Sequence, residues 1–273
     1  MSRERALASD FLPLSAPASR SASLWRMCWM EAKCEFLKLL RTPHYALPIL
    51  ALPVMFYLLF GVSFGARGPT GSGGSEYLLA GYAVFGVVTA ALFAFGAGVA
   101  LERAQGWLLL KRTTPMPVGV YLGMKVLSCM LFGALIVVLL ATCAIVLGGV
   151  RLPISAWLSL LGIITVGSVP FCLFGLLIAL VVPPAGAPGI VNLINLPLAF
   201  AGGLWIPVSA LPRLFQSIAP ALPQYHLAQL ALGAIGVPPA ASVAVHGAML
   251  ALTSVVLGGA VVVAWRRADA RDG

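Results

Sequence analysis

The residues best suited to polar contacts with a partner stand just after the second long apolar run of the chain. Glu102 and Arg103 place opposite charges side by side at the end of that run. An arginine can hold a carboxylate through two parallel N–H groups, so this pair could bind a partner surface. The alternative is that the positive charges only anchor the end of a membrane span. The residues considered for the partner contact are Glu102, Arg103, Gly106, Lys111, Arg112, Pro115 and Pro117.

Motifs for nucleotide hydrolysis or other catalysis are missing from the sequence. A phosphate-binding loop requires Gly-x4-Gly-Lys-Ser/Thr. None of the four lysines, Lys33, Lys38, Lys111 and Lys125, follows a glycine. A membrane enzyme would need paired acids or a histidine-rich motif at the interface, and the sequence has neither. We therefore predict no enzyme activity, no cofactor and no metal site on this chain itself.

Ionisable residues are scarce within the apolar runs. Ion-coupled transporters hold acids, histidine or arginine inside the membrane as proton relays or counter-ions. All eight acidic residues lie outside the runs, and His246 is the one ionisable candidate within them. A single histidine more often serves as a hydrogen-bonding partner between helices. Proton-driven transport therefore has weak support.

The elements that must position these residues are membrane-spanning helices. The chain is 60% hydrophobic and 9% charged with a mean hydropathy of +1.01, whereas a soluble domain carries roughly 25% charged residues. In hydrocarbon the backbone must satisfy its own hydrogen bonds, and the runs lack the polar alternation of barrel strands. We therefore predict an all-α integral membrane protein with six transmembrane helices. They are expected near residues 46–64, 77–100, 126–150, 155–182, 189–208 and 243–265.

The basic residues predict the orientation of these helices. Fourteen of the 17 Lys and Arg residues fall on one side when the spans alternate, and Arg67, Arg151 and Arg213 fall on the other. The positive-inside rule makes the side with fourteen cytoplasmic. Both termini are then cytoplasmic in a multi-pass protein of the plasma (bacterial inner) membrane. The basic residues that give the net charge of +9 flank the apolar runs. They therefore indicate contact with anionic membrane lipids and no nucleic acid partner.

Two further segments complete the predicted architecture. Residues 21–42 carry apolar side chains at spacings of three and four, which predicts an amphipathic helix at the cytoplasmic interface, ended by Pro43. Residues 209–242 are moderately apolar and contain five prolines, which predicts short outer helices that re-enter the membrane between helices five and six. The predicted domains are a flexible cytoplasmic tail (1–20), the interfacial helix (21–42), the transmembrane domain (43–267) and a second cytoplasmic tail (268–273).

Two motif pairs carry a family resemblance. The first is Glu-Arg-Ala-Gln-Gly at 102–106, followed by Thr-Pro-Met-Pro at 114–117. The second is Gly-Gly-Leu-Trp-Ile-Pro at 202–207, followed by Leu-Pro-Gln-Tyr-His at 222–226. In their order, and together with the six-span layout, these motifs resemble the ABC-2 type transporter permeases over roughly residues 21–267.

The resemblance implies a permease subunit of an ATP-driven exporter. It implies a second permease copy, which we predict to be identical, and two copies of a separate ABC ATPase that holds ATP and Mg. The segment after the second helix would dock in a groove on that ATPase, which would give the residues considered above a coupling role. The alternative is a secondary transporter or channel that ATP does not drive.

The resemblance also implies that the second and fifth helices line the substrate pathway. Asn192 and Asn195 lie on one face of the fifth helix, where they could equally be hydrogen-bond partners between helices. Neither helix carries a charge within its apolar run, so we expect a lipophilic or amphipathic substrate: a drug-like compound, a lipid or a lipid-linked glycan. The candidate pathway residues are Phe93, Phe95, Asn192, Asn195 and Trp205.

Overall fold

The protein is helical throughout the part of the chain that the structure describes. The computed structural model describes residues 20–63, 74–107 and 118–272. Every regular element within these ranges is an α-, π- or 3₁₀-helix. Five helical stretches there are long and apolar enough to cross a membrane, and a shorter apolar helix accompanies them. The prediction of an all-α membrane protein is therefore confirmed.

The helices are numbered here in chain order. α1 is Arg20–Arg41, and α2 is Pro43–Phe56 with a π-helical continuation at Tyr57–Val62. α3 consists of Gly74–Leu92, a π-helical segment at Phe93–Gly98 and an α-helical end at Val99–Ala104. The later helices are α4 (Val118–Val146), α5 (Ile154–Val166), α6 (Val169–Val181), α7 (Ala187–Ala201), α8 (Arg213–Ile218), α9 (Pro223–Ala234) and α10 (Val243–Asp272).

Proline and glycine set several helix ends. Thr42 is extended directly before Pro43, because a residue that precedes proline is disfavoured in the helical region. This break separates α1 from α2, as the sequence predicts. α9 begins at Pro223, whose missing N–H costs nothing in a first turn. Gly106 has a φ of +74°, the left-handed conformation in which glycine commonly ends a helix, and it follows α3.

α3 is the central helix of the bundle. In its most apolar stretch 72% of the residues are buried, whereas the corresponding value for α10 is 11%. α3 packs against α2, α4, α6 and α9, and α1 packs along α4. α10 lies at the edge against α6 and α9. Side chains on α3 can therefore contact most of the other helices.

The boundaries of the spans differ from the sequence predictions in physical ways. The fourth predicted span divides at Gly167 and Ser168 into α5 and α6, and the two helices together cover Ile154–Val181. The fifth predicted span ends early, since the helix stops at Ala201 before a turn at Gly202 and Gly203. α3 and α4 extend beyond their predicted limits at residues 100 and 126. Glu102 and Lys125 consequently lie within long helices rather than in loops.

Short helices occupy the segment after α7, as predicted. Val208–Ala210 and Ala219–Ala221 are 3₁₀ turns on either side of α8, and α9 follows. α9 is mostly buried and contacts α3, α5 and α10. α9 therefore belongs to the core of the bundle, whereas α8 contains no buried residue.

Candidate coupling and pathway sites

Glu102 lies in a buried ionic cluster at the Ala104 end of α3. Its side chain is 8% exposed and accepts hydrogen bonds from Lys125, Lys38 and the Tyr121 hydroxyl. Lys125 Nζ lies 2.8 Å from Glu102 Oε1 and 3.0 Å from Oε2. The same ammonium lies 2.8 Å from Glu35 Oε2. Two carboxylates and two ammonium groups thus neutralise one another where α1, α3 and α4 meet.

Lys125 is the centre of this ionic cluster. Its side chain is 4% exposed, and it donates to both carboxylates. A buried charge is tolerated only when opposite charges and hydrogen bonds replace the lost water. α1 and α4 also share a backbone contact, because the Ser128 hydroxyl lies 3.0 Å from the carbonyl oxygen of Ala32. The predicted interfacial helix is therefore fixed to α4 through polar groups as well as apolar ones.

Arg103 attaches the same end of α3 to a different helix. Its Nη1 donates to the carbonyl oxygen of Leu180 at 3.0 Å, and its Nη2 lies 3.5 Å from that of Val182. Leu180 belongs to the last turn of α6, where backbone acceptors lack partners within the helix, and Val182 directly follows that helix. A cation is also favourable at a helix C-terminus. Glu102 and Arg103 therefore connect α3 to α1 and α4 on one side and to α6 on the other.

The other predicted coupling residues lie just beyond this anchored helix end. Gly106 terminates α3, and the exposed Trp107 follows it. Lys111, Arg112, Pro115 and Pro117 lie outside the described residues. Their coupling role stays a prediction.

A cavity of about 650 Å³ opens beside the ionic cluster. α1, α2, α3, α4 and the connection between α6 and α7 contribute to its walls. Its lining is mainly apolar and aromatic, with charged groups at one side. Its lining residues include Tyr45, Phe93, Gly98, Glu102, Trp107 and Pro188.

The structure separates the five predicted pathway residues. Phe93 lines the cavity, whereas Phe95 is buried against α6, where Gly175 has no side chain to block it. Trp205 packs edge-on against Phe85 with ring centroids 5.2 Å apart. Asn192 is exposed on α7. Only Phe93 therefore faces the described cavity.

Asn195 joins three helices through its amide. Its Nδ2 donates to Thr89 Oγ1 of α3 at 2.8 Å, and its Oδ1 accepts from Gln224 Nε2 of α9 at 3.2 Å. Asn195 and Gln224 are each 1% exposed and Thr89 is half-buried, so the amide of Asn195 is engaged within the protein. This geometry matches the alternative interpretation of Asn195 as a hydrogen-bond partner between helices.

Sequence reasoning did not find the partners of Glu102. In the sequence, Lys38 and Lys125 are among the basic residues that flank the predicted spans, and Glu35 lies within the predicted amphipathic helix at 21–42. One signal was available, because Glu35 and Lys38 are three residues apart and share a face of α1. Pairing that face with Glu102, 64 residues after Lys38, requires the packing of α1 in three dimensions.

Comparison with known proteins agrees with this architecture. The family model for the ABC-2 type transporter matches residues 27–235. The chain is also similar to YvfS of Bacillus subtilis (strain 168), whose name describes it as a candidate transport permease. The two are 29% identical over 196 residues, which cover 72% of this chain and 80% of YvfS. The family match and the apolar helices make this chain a multi-pass membrane protein with a transport role, and it belongs to the ABC-2 type transporter family.

Proposed function

We propose that this chain is the permease subunit of an ATP-driven exporter. Two copies of it would form the pathway, and two copies of a separate ABC ATPase would bind ATP and Mg. It would act in the bacterial inner membrane with six spans, α7 being the fifth, and with both termini in the cytoplasm. The segment from α8 to α9 would re-enter the membrane from outside.

The double attachment of α3 at Glu102 and Arg103 carries this proposal. The segment proposed to meet the ATPase begins directly after these residues. Glu102 is held by α1 and α4, and Arg103 by the end of α6. A displacement of that segment would therefore act on several helices at once. Glu102 and Arg103 would transmit ATPase movement from inside the permease, while the residues after Gly106 would contact the ATPase itself.

The substrate class follows from the chemistry of the helices around the cavity. α7 has no charged residue, and the charges of α3 lie at its ends. Phe93, Tyr45 and Trp107 provide aromatic surface beside the cavity. Apolar and aromatic walls favour lipophilic groups, with a few polar groups to orient them. A drug-like compound, a lipid or a lipid-linked glycan would fit this description.

Coupling is tested with the variants Arg103→Lys and Arg103→Ala in vesicles that contain the permease and its ATPase. Lysine keeps the charge but loses the planar fork that reaches two carbonyls, so transport and substrate-stimulated ATP hydrolysis should fall. Alanine should reduce both further, by about tenfold, since a hydrogen bond to a charged group contributes roughly 1.5–3 kcal/mol. Arg267→Lys, at the far end of α10, is the matched control. Wild-type activity of both Arg103 variants at equal permease levels would refute the coupling role.

The energy source distinguishes the exporter from a secondary transporter or channel. We expect transport to require ATP and the ATPase, and to continue when an uncoupler collapses the proton gradient. Loss of transport with the uncoupler at constant ATP would favour the secondary transporter. Transport without the ATPase would favour a channel.

A further inference from the structure

Two histidines meet where α9 packs against α10. His226 belongs to α9 and His246 to the first turn of α10, and they are 4% and 1% exposed. Their Nδ1 atoms lie 2.8 Å apart. Nε2 of His226 lies 2.8 Å from the carbonyl oxygen of Pro220. Nε2 of His246 is buried and has no hydrogen-bond partner among the described residues.

These contacts determine where the protons are. A carbonyl oxygen only accepts hydrogen bonds, so Nε2 of His226 must carry a hydrogen. A neutral imidazole has one donor and one acceptor, and Nδ1 of His226 is therefore the acceptor. His246 then donates from Nδ1, which leaves a lone pair on its Nε2. That lone pair is the one place where the pair can take a proton without breaking a hydrogen bond.

Among the residues that the structure describes, no negatively charged group faces that proton. Tyr225 contacts both rings, with centroids 5.4 and 5.8 Å away, and burial raises the pKa of its phenol, which keeps it neutral. α6 packs along α10 and carries one titratable group, Cys172, whose thiol contacts Cys129 of α4. α5 and α7 contain no titratable residue, and Tyr77 of α3 donates its hydroxyl hydrogen to Gly203. Glu76 interacts with Tyr57 on the α2 side, and Arg213 of α8 is exposed. A proton on His246 would thus be buried without an acceptor.

We propose that His226 and His246 form a proton-binding latch between α9 and α10. The latch is closed while both rings are neutral, and one proton on His246 Nε2 favours separation of the helices because water can then solvate the N–H. A second proton would place two donors face to face and open the latch further. Gln224 of α9 is hydrogen-bonded to Asn195 of α7, which in turn is bonded to α3. The state of the latch therefore determines how α9 packs against α3 and α7.

The direction of the pH effect follows from linkage. A solvated histidine titrates at about pH 6.5, and water can reach the Nε2–H of a protonated His246 only when the latch is open. The closed state is therefore fully favoured above about pH 6.5 and is weakened as the pH falls below it. One proton changes the equilibrium by up to about tenfold per pH unit.

Hydrogen exchange of the full-length permease in lipid nanodiscs tests the latch. The times of exposure to deuterium are scaled to correct for the intrinsic effect of pH on amide exchange. Peptides from α9 are then compared with peptides from α5. We expect exchange in α9 to become up to about fivefold faster between pH 6.5 and 5.5, with α5 unchanged. His246→Gln can still donate to His226 but does not titrate, so it should stay protected at both pH values. His44→Gln, which changes the third histidine, should behave like the wild type.

Two results would overturn the latch. One is wild-type protection of α9 that does not depend on pH, and the other is an unchanged pH response in His246→Gln. If that variant does not fold, ¹⁵N-histidine NMR of the wild type decides. At pH 7.5 it should show hydrogen on Nε2 of His226 and on Nδ1 of His246, and the opposite tautomers would refute the mechanism.

Discussion

Replacing Lys125 with methionine should destabilise the protein by about 3–5 kcal/mol. The buried ammonium of Lys125 lies within 3.0 Å of oxygens from both Glu35 and Glu102. Methionine has a similar length but no charge, so two buried carboxylates would face each other with Lys38 as the remaining cation in the cluster. Removing one partner of a buried ion pair typically costs this amount, because the remaining charge stays desolvated.

Two further variants separate charge burial from general disruption. The side chain of Lys38 is 51% exposed, and Lys125 would still compensate both carboxylates in Lys38→Met. That change should cost less than about 1 kcal/mol, the usual range for exposed pairs. Adding Glu102→Gln to Lys125→Met removes one uncompensated carboxylate and should recover part of the lost stability.

Reversible unfolding in mixed micelles, followed by circular dichroism during a denaturant titration, measures these differences. The expected order of stability is wild type, Lys38→Met, the double variant and then Lys125→Met. Equal losses of unfolding free energy in the two lysine variants would show that the burial of the lysine side chain does not determine the cost of its replacement. A double variant no more stable than Lys125→Met alone would show that carboxylate repulsion is not the cause.

Further predictions concern packing, the polar bonds of α7 and topology. Gly81→Ala places a Cβ against the backbone carbonyl oxygen of Leu204, in the turn after α7, so the thermal stability of this variant should fall sharply. Gly259→Ala, with open space around the added Cβ, should match the wild type. In denaturant titrations, Asn195→Ala should cost about 1–3 kcal/mol because it leaves buried polar groups unpaired, and the exposed Asn192→Ala should change stability by less than about 0.5 kcal/mol. In a cysteine-free background, Lys111→Cys should react with an impermeant thiol reagent only after cells are permeabilised; labelling of intact cells would reverse the proposed orientation.

Helix content could be predicted because it depends on local composition. Uncharged apolar runs in a chain this poor in charge must form helices in lipid, and Pro43 ends the amphipathic segment in both the prediction and the structure. The ends of the spans were harder to predict from the sequence. A hydropathy criterion ends a predicted span at its first charged residue. α3 nevertheless continues through Glu102 and α4 begins before Lys125, because each of these charges compensates the other.

The candidate sites could be predicted only in part because their contacts join distant segments. The sequence identified Glu102, Arg103, Asn195 and His246 as unusual polar residues, but it could not identify their partners. Those partners come from the packing of α1 on α4, of α6 beside the end of α3, and of α9 on α10. His246 illustrates this limit, since it is the one histidine within its span and its hydrogen-bond partner lies in α9.

The adjacency of Glu102 and Arg103 limits how α3 can move. Consecutive residues of a helix point about 100° apart, so their side chains reach different neighbours from one turn. Glu102 is tied to α1 and α4 by ion pairs, and separating them would leave a buried charge without its partner. Arg103 is tied to the end of α6 by hydrogen bonds to backbone carbonyls. The second attachment is easier to release, since water can replace a carbonyl partner. Movement transmitted through the end of α3 should therefore carry α1 and α4 along as a unit and shift them relative to α6.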